Sequence, residues 1–246
     1  MSRLAGKVAL ILGGSRGMGA AIAKRLAEEA ADVAFTYASS PARANDVAQA
    51  IEAMGRRSLA IAADNRDVAA VEEAVTETVS AFGRLDILVN NAGIFLVGPV
   101  DTLTLTDFDE TVNVNVRAAF AASRAALAHM GEGGRIVSIG SNLAVRMPDA
   151  GLSLYSMSKA ALTGMTKALA REVGPKGITA NIVHPGSTDT EMNPADGPGA
   201  EEQRALMAIP HFGEASEVAG LVAWLAGPDA RGVTGAEFTI DGGANI

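Results

Sequence analysis

Residues 7–19 read Lys-Val-Ala-Leu-Ile-Leu-Gly-Gly-Ser-Arg-Gly-Met-Gly, an apolar run followed at once by a glycine-rich loop. The apolar run is typical of a strand buried on both faces of a parallel sheet. Residues 20–28 then favour a helix, with Ile22 and Leu26 on one face. Glycines let a backbone turn tightly against phosphates, and a helix N-terminus offers free N–H groups. The stretch therefore predicts a strand-loop-helix unit that binds a nucleotide pyrophosphate. Its Gly-x-x-x-Gly-x-Gly spacing differs from the general fingerprint, and a plain turn is the alternative.

Apolar runs and helical periodicity continue to alternate as far as the C-terminus. This alternation indicates an α/β protein with a parallel sheet, and the length suits a single domain over residues 1–246. Long helices are expected at Thr106–Met130 and Leu154–Ala170, and Ser216 is expected to cap a later helix. Residues 187–213 show little periodicity, which predicts a substrate loop or lid. Further strands are expected at Asp32–Tyr37, Ser58–Ala62, Asp86–Val89, Arg135–Ile139, Ile178–Val183 and Glu237–Ile240.

The end of the second predicted strand bears on the choice of cofactor. Folds that prefer NAD usually end this strand with a carboxylate for the ribose hydroxyls. Here the chain continues into Ala38, Ser39 and Ser40, and Arg16 lies in the glycine loop. A 2′-phosphate would meet donors and no repelling charge, which favours NADP over NAD. Ser40 before Pro41 also has the pattern of a helix N-cap, and capping alone would explain that serine.

Tyr155 and Lys159 are four residues apart in a predicted helix, so they are neighbours on one face. A free tyrosine has a pKa of about 10, and a neighbouring cation is expected to lower it. Such a tyrosine serves as general acid or base near neutral pH. The alternative is an exposed pair with no chemical role, because this spacing is common by chance.

The composition excludes several classes of function. A net charge of −8 with few aromatic residues argues against binding to nucleic acid or anionic membranes. There is no long apolar run that would span a membrane, and the N-terminus lacks a signal-peptide layout. Cysteine is absent, which excludes disulfides and fits a cytoplasmic protein. His129, His184 and His211 lack metal-ligand spacing, so no metal site is expected.

A set of motifs in a fixed order resembles the short-chain dehydrogenase/reductase family. The motifs are the glycine loop at 13–19, Asn90-Asn91-Ala92-Gly93, Asn115, Ser141, Tyr155-x-x-x-Lys159 and Pro185-Gly186. The resemblance implies a Rossmann-type, doubly wound parallel sheet of about seven strands between helices, in the order 3-2-1-4-5-6-7. It also implies hydride transfer between a nicotinamide cofactor and a carbonyl or secondary alcohol.

The resemblance also assigns roles to residues. Tyr155 is the acid in reduction and the base in oxidation, and Lys159 lowers its pKa and holds the nicotinamide ribose. Ser141 hydrogen-bonds the substrate oxygen. Asn115, which propensity disfavours at mid-helix, holds a water that links Lys159 to solvent. For Asn91 and Gly93 a purely structural role is an equal alternative to cofactor contact. The full set of implied cofactor contacts is Gly13, Ser15, Arg16, Gly17, Met18, Gly19, Ala38, Ser39, Ser40, Asp64, Asn65, Asn91, Ala92, Gly93, Tyr155, Lys159, Pro185, Gly186, Thr188 and Thr190.

Two positions depart from the family pattern. Leu12 stands where most members have threonine, which predicts that a hydroxyl tie to the neighbouring turn is missing. Most members place the catalytic serine at the position that is Asn142 here, one residue after Ser141. Ser141 is preferred because Ile-Gly-Ser is the common form in relatives.

The overall pattern is similar to bacterial 3-oxoacyl-[acyl-carrier-protein] reductases and related ketone reductases. Glu132 lies where such relatives place a cation for the acidic carrier protein, while Lys176 keeps a charge at a second position. The leading hypothesis is therefore an NADP-dependent reductase of a small or medium ketone, or of a free or thioester-linked 3-oxoacyl group. The carrier-protein reductase is the alternative, and a non-catalytic nucleotide-binding relative is a third hypothesis.

The remaining expectations concern the substrate pocket and assembly. The 187–213 segment is expected to cover an apolar pocket formed by Val145, Met147, Leu152 and Met192. The family resemblance implies a homotetramer that pairs through helices at about 106–130 and 152–174. An alanine-rich helix face would permit such pairing or packing within one subunit, and it consists of Ala118, Ala119, Ala122, Ala125 and Ala126.

Overall fold

The computed structural model describes residues 2–246, within which nine strands follow one another. They are β1 (Val8–Leu12), β2 (Asp32–Tyr37), β3 (Ser58–Ala62), β4 (Ile87–Asn90), β5 (Arg135–Ile139), β6 (Thr179–Pro185), β7 (Thr188–Asp189), β8 (Gly213–Glu214) and β9 (Glu237–Ile240). Seven of them form a parallel sheet in the order β3-β2-β1-β4-β5-β6-β9, and β7 pairs with β8. The strand order reverses between β1 and β4, which confirms the predicted doubly wound, Rossmann-type sheet.

The helices of the described chain pack in two layers, one on each face of this sheet. They are α1 (Gly17–Glu28), α2 (Pro41–Ala53), α3 (Val68–Phe82), α4 (Leu105–Val112), α5 (Ala118–Ala126), α6 (Ser153–Val173), α7 (Ala200–Ala205) and α8 (Ala215–Ala226). Apolar side chains of α1, α2 and α8 share one core, and those of α3, α5 and α6 share another. Each crossover helix therefore covers a sheet face that would otherwise expose apolar residues.

β1 shows why this strand lies at the centre of the sheet. All five of its residues are buried. Ala9 and Ile11 pack into the core under α1, whereas Leu10 and Leu12 pack into the core on the opposite face. Successive side chains of a strand point to opposite faces, so a continuous apolar run satisfies both cores at once.

The long helix predicted at Thr106–Met130 is interrupted. α4 ends at Val112, a π-helical turn occupies Asn113–Arg117, and α5 begins at Ala118. A π turn adds one residue to the helical repeat and is frequent at functional sites. The interruption includes Asn115, whose side chain bonds to other segments instead of competing with its own helix.

One predicted helix cap, Ser216, is wrong, and the other, Ser40 before Pro41, is confirmed in position. α8 begins at Ala215, and its cap is Glu214 rather than Ser216, because the Glu217 carboxylate accepts from the Glu214 N–H at 2.7 Å. Ser40 does precede α2, but its side chain makes no capping hydrogen bond. Its hydroxyl therefore remains available to the cleft beside it.

The 187–213 segment has more order than its sequence pattern predicts. It contains β7, α7 and the first residue of β8. Gln203 on α7 accepts hydrogen bonds from Ser187 and Asn193 at 2.6 and 2.9 Å. These polar contacts, which have no periodic signature, fold the segment over the end of β6. Nowhere along residues 2–246 is a helix both long and apolar enough to span a membrane.

Candidate active site

The glycine loop between β1 and α1 packs directly against the end of β4. Gly13 has a φ of +72°, and a Cβ there would lie 2.9 Å from the Cβ of Ala92. A Cβ on Gly19 would lie 2.1 Å from the Gly13 carbonyl oxygen. The Gly13 N–H donates to Thr36 Oγ1 at 2.9 Å. The loop therefore presents backbone rather than side chains at the start of α1, as phosphate binding requires.

Asn91 connects the end of β4 to the turn after β1, where Leu12 lacks the hydroxyl that a threonine would offer. Its Nδ2 donates to the carbonyl oxygens of Leu12 and Gly13 at 3.1 and 2.9 Å. One side-chain amide thus joins the end of β4 to the turn after β1. The hydroxyl tie itself is missing, as predicted, because leucine carries no hydroxyl, but the Asn91 amide still joins the two segments.

A cleft of about 340 Å³ opens beyond the carboxyl ends of the central strands. It brings together most of the expected cofactor contacts, but three expected residues lie elsewhere. Pro185 is buried at the end of β6, and Gly186 and Thr188 line a second cavity. The expected residues that line the cleft are Gly13, Ser15, Arg16, Gly17, Met18, Gly19, Ala38, Ser39, Ser40, Asp64, Asn65, Asn91, Ala92, Gly93, Tyr155, Lys159 and Thr190.

Glu191 bridges two arginines at the mouth of this cleft. Its Oε2 lies 2.5 Å from Arg43 Nη1 and 3.5 Å from Arg16 Nη1. Arg43, and to a smaller extent Arg16, holds the pKa of the Glu191 carboxyl below its usual value. All three side chains are about half exposed, so each pair contributes little by itself. Arg43 and Glu191 were not predicted from the sequence, although a second cation close to Ser39 and Ser40 was a usable signal.

Tyr155 and Ser141 meet where α6 faces the end of β5. Burial raises the pKa of Tyr155 to about 12, although its hydrogen bond with Ser141 acts in the opposite direction. Lys159 Nζ lies 5.8 Å from the centre of the Tyr155 ring and donates to the Ile139 carbonyl at 3.0 Å. Burial lowers the pKa of Lys159 to about 8. The predicted lowering of the Tyr155 pKa by Lys159 is therefore wrong for this structure, because burial disfavours the charged form of both groups.

Asn115 connects three segments of the site. Its Oδ1 accepts from the Ile94 N–H at 2.8 Å, and its Nδ2 donates to the Ile94 carbonyl and to Ser158 Oγ at 3.1 and 3.0 Å. A Cβ on Gly93 would lie 3.3 Å from both Asn115 Oδ1 and Lys159 Nζ. Both the oxygen and the nitrogen of the Asn115 amide are thus bonded to protein groups. These bonds hold α6 against the chain after β4, which carries the Asn-Ala-Gly motif.

A second cavity of about 290 Å³ lies on the other side of Tyr155. Phe95 packs edge-on against the Tyr155 ring at a centroid distance of 4.8 Å, a contact that the sequence did not predict. Of the four expected apolar lining residues, Leu152 and Met192 line this cavity. Val145 and Met147 do not line it, and they are 61% and 55% exposed.

Four residues line both the cleft and the second cavity, namely Met18, Tyr155, Thr190 and Met192. The two spaces therefore meet at the Tyr155 side chain. Asn142 lines the second cavity, and Ser141 is 7% exposed. Within the described residues, no group of three or more histidine or acidic side chains could hold a metal ion.

Comparison with known proteins agrees with this arrangement. A family model described as enoyl-(acyl carrier protein) reductase matches residues 13–245. A crystal structure of a short-chain dehydrogenase from Burkholderia cenocepacia in complex with NADP superimposes with a TM-score of 0.98. That protein is 63% identical, and the match covers 99% of this chain and 100% of that chain.

Two relatives that are described by different functions match over nearly the whole chain. The cyclic-di-GMP-binding biofilm dispersal mediator protein of Escherichia coli is 48% identical over 242 residues, which is 98% of each chain. A hydroxynaphthalene reductase of Aspergillus fumigatus is 38% identical over 250 residues, covering 96% of this chain and 91% of the relative. These matches, together with the sheet order and the site, show that the chain belongs to the short-chain dehydrogenase/reductase family of oxidoreductases.

Proposed function

We propose that this chain is an NADP-dependent reductase of small or medium ketones, with Tyr155 as the general acid. The observation that carries the proposal is the position of Tyr155, which lines both the glycine-loop cleft and the second cavity. A group held in one space and a substrate held in the other would meet at its hydroxyl. Such positioning accounts for a large part of the rate enhancement of a two-reactant enzyme.

The residues around the first cleft fit a nicotinamide dinucleotide. The backbone of the glycine loop stands at the N-terminus of α1, where a pyrophosphate binds. Ser39, Ser40, Arg16 and Arg43 offer donors and positive charge for a 2′-phosphate, and β2 ends without a carboxylate. The structure of the Burkholderia relative contains NADP. When bound, NADPH supplies the hydride that reduces a carbonyl carbon.

In this proposal Tyr155 and Ser141, which itself lines neither cavity, receive the carbonyl oxygen. A pKa of about 12 keeps Tyr155 protonated at neutral pH, so its hydroxyl can donate a proton to the oxygen that becomes an alcohol. The Ser141 hydroxyl bonds the same tyrosine and would hold the substrate oxygen beside it. Because oxidation needs the phenolate, these properties favour carbonyl reduction near neutral pH.

Lys159 and Asn115 support the proposed role of Tyr155 as the acid. Lys159 holds a proton close to the tyrosine and is fixed by its bond to the Ile139 carbonyl. Asn115 holds the α6 backbone through Ser158, which itself donates to the Tyr155 carbonyl at 2.7 Å. The proposed role of the Asn115 side chain is therefore to position α6, and the water through which Asn115 would link Lys159 to solvent stays a prediction.

The second cavity supports an apolar substrate. Phe95, Leu152 and Met192 contribute apolar surface beside Tyr155, while Asn142 and Asn245 contribute amides further out. The Aspergillus relative is described as a reductase of an aromatic compound, which agrees with the edge-on Phe95 beside the acid. A carrier-protein substrate remains the alternative within the same reaction. Turnover of a carrier-linked 3-oxoacyl group far above that of its short thioester mimic would favour this alternative.

The decisive experiment compares two neighbouring residues. The wild type should bind NADPH more tightly than NADH, as followed by nucleotide fluorescence, and should reduce members of a ketone panel with NADPH. Ser141→Ala should lower kcat by about a hundredfold or more, whereas Asn142→Ala should change it much less. The reverse result would move the catalytic role to Asn142. Tight NADPH binding without turnover of any carbonyl would refute the reductase.

A nucleotide-binding role without turnover is the second candidate. The observation that favours it is the Escherichia coli relative, which is described as binding cyclic di-GMP. A direct test measures binding of cyclic di-GMP by calorimetry in the presence and absence of NADPH. Binding together with a silent ketone panel would favour this role. Turnover with no binding of the cyclic dinucleotide would exclude it.

We also propose that the protein works as a homotetramer. The alanine face of α5 does not provide the interface by itself, because Ala118, Ala122 and Ala126 pack inside the subunit. Phe108 and Phe120 on α4 and α5 remain 42% and 55% exposed and are available for pairing. Sedimentation equilibrium should give four chains, and a monomer at micromolar concentration would contradict this. The cytoplasmic location stays a prediction.

A further inference from the structure

We propose that His184 is a positioning residue that orients Ser141 through a hydrogen bond to the serine backbone. The inference rests on the proposed role of Ser141 in carbonyl reduction. His184 stands near the end of β6 and is completely buried, although it touches neither the cleft nor the second cavity. A buried imidazole next to the proposed catalytic loop requires an explanation, because buried polar groups are retained only where they are bonded.

Both ring nitrogens of His184 have a hydrogen-bond partner. Nδ1 lies 3.3 Å from the Ser141 backbone nitrogen and 2.9 Å from the Ser141 carbonyl oxygen, and Nε2 lies 3.2 Å from Glu237 Oε2. The Glu237 carboxylate is held in turn by Lys167 at 2.6 Å. A neutral imidazole carries one N–H, and with that proton on Nε2 the ring donates to the Glu237 carboxylate while Nδ1 accepts from the Ser141 N–H. Three adjacent elements of the sheet edge, β5, β6 and β9, meet at this one side chain.

The chain after β5 is shaped to admit the imidazole. A Cβ on Gly140 would lie 2.5 Å from His184 Nδ1 and 2.8 Å from its Cε1. Only glycine allows the loop to approach the ring this closely. The close approach and the hydrogen bond both act on residues 140 and 141, so the ring fixes the position of the loop along the sheet edge.

The contact acts on the orientation of the Ser141 hydroxyl. Ser141 Oγ accepts from the Leu143 N–H at 3.1 Å, and its hydroxyl also bonds Tyr155. Its backbone N–H is held by His184 from the opposite side. Loss of this bond would free the peptide that carries the side chain. A displacement of about 1 Å at a reacting group can lower a rate by about a hundredfold.

Two matched substitutions of His184 test the hydrogen bonds of its two ring nitrogens separately. In His184→Asn the amide stands near the Nδ1 position, where its oxygen can still accept from the Ser141 N–H. In His184→Gln the amide stands near the Nε2 position and can still reach Glu237 but not Ser141. We expect His184→Asn to keep kcat within about threefold of the wild type and His184→Gln to lower it by about tenfold or more. NADPH affinity, measured by fluorescence, should be unchanged in both.

The Ser141→Ala background distinguishes positioning from general stability. If His184 acts through the serine hydroxyl, His184→Gln should cause no further loss of kcat in Ser141→Ala, because the group being positioned has gone. Equal loss in both backgrounds would overturn the proposal, as would a fully active His184→Gln. If Ser141→Ala itself retains full activity, it is the proposed function that fails and not the positioning.

A measurement independent of turnover tests the hydrogen bond itself. With only three histidines in the chain, imidazole ¹H–¹⁵N spectra should show one Nε2–H that exchanges slowly with solvent, and His184→Asn should remove it. Absence of such a signal from the wild type would overturn the assignment. If His184→Gln does not fold, Glu237→Gln carries the test. Its loss of kcat should be about threefold and should disappear in the Ser141→Ala background.

Discussion

Replacing Lys159 by methionine should make this protein more stable at neutral pH while abolishing its proposed activity. Lys159 is 4% exposed, and Ile139 provides the one hydrogen-bond acceptor found for its ammonium group within the described residues. Burial lowers its pKa from 10.5 to about 8, which measures how poorly the folded state tolerates the charge. Methionine has a similar length and carries no charge.

The direction of the pH dependence follows from proton linkage. Below pH 8 both the folded and unfolded chains carry the charge, so the cost of burying it is fully present. Between pH 8 and 10.5 the folded chain has lost the proton while the unfolded chain keeps it, and wild-type stability gains with rising pH. The difference between the unfolded-state pKa of 10.5 and the folded-state pKa of about 8 corresponds to about 3 kcal/mol in the free energy of unfolding. Loss of the bond to Ile139 offsets about 1 kcal/mol of the gain in Lys159→Met.

The assay is urea unfolding of wild type and variant at pH 7, 8, 9 and 10, at one protein concentration. Lys159→Met should be about 2 kcal/mol more stable at pH 7, and the difference should shrink steadily above pH 8. Lys176→Met, at an exposed lysine, is the matched control and should follow the wild type. A Lys159→Met variant that is less stable at pH 7, or whose advantage does not change with pH, would refute the reasoning.

Four further predictions concern the cleft and the acid. Reduction should slow as the pH rises through about 8, where Lys159 loses its proton; a rate profile that is flat to pH 10 would contradict this. Glu191→Gln should tighten NADPH binding about fivefold, because the carboxylate competes with a phosphate for Arg43 and Arg16. An equal change for NADH would exclude this cause. Gly19→Ala should weaken NADPH binding by at least about tenfold, because the new Cβ would lie 2.1 Å from the Gly13 oxygen; unchanged fluorescence titrations would argue against a phosphate cradle. Phe95→Ala should raise KM for ketones about fivefold through loss of an edge-on aromatic contact, and NADPH affinity serves as the control that must not change.

The fold was predictable because its signals are local. β1 is a five-residue apolar run, and Gly13 follows it directly, so the position of the nucleotide cleft could be inferred before any tertiary contact was known. The same holds for Tyr155 and Lys159, whose spacing places them on one helix face. The order of the strands came from family resemblance, because alternation of strands and helices does not specify their spatial order.

The remaining features depend on contacts between distant segments. Asn91 bonds to Leu12 across a neighbouring strand, and Glu191 pairs with Arg43 across 148 residues. No periodicity within either segment marks such a pair. The π turn around Asn115 was also hidden, because propensity shows only that asparagine is unfavourable there. The raised pKa of Tyr155 depends on how much protein surrounds its side chain, which only the packed structure reveals.

The opposite pKa shifts of Tyr155 and Lys159 have one cause and together favour one direction of reaction. Burial disfavours phenolate and ammonium alike, so it raises the pKa of Tyr155 to about 12 and lowers that of Lys159 to about 8. A tyrosine that has given its proton to a substrate oxygen is therefore a stronger base than the lysine beside it. In the proposed reaction the proton of Lys159, the group of lower pKa, can restore the proton that Tyr155 gives to the substrate, whereas oxidation of an alcohol requires the unfavourable phenolate to exist first. A lysine that lowered the tyrosine pKa would instead favour the phenolate that oxidation needs, so the two directions of shift support the proposal of a reductase.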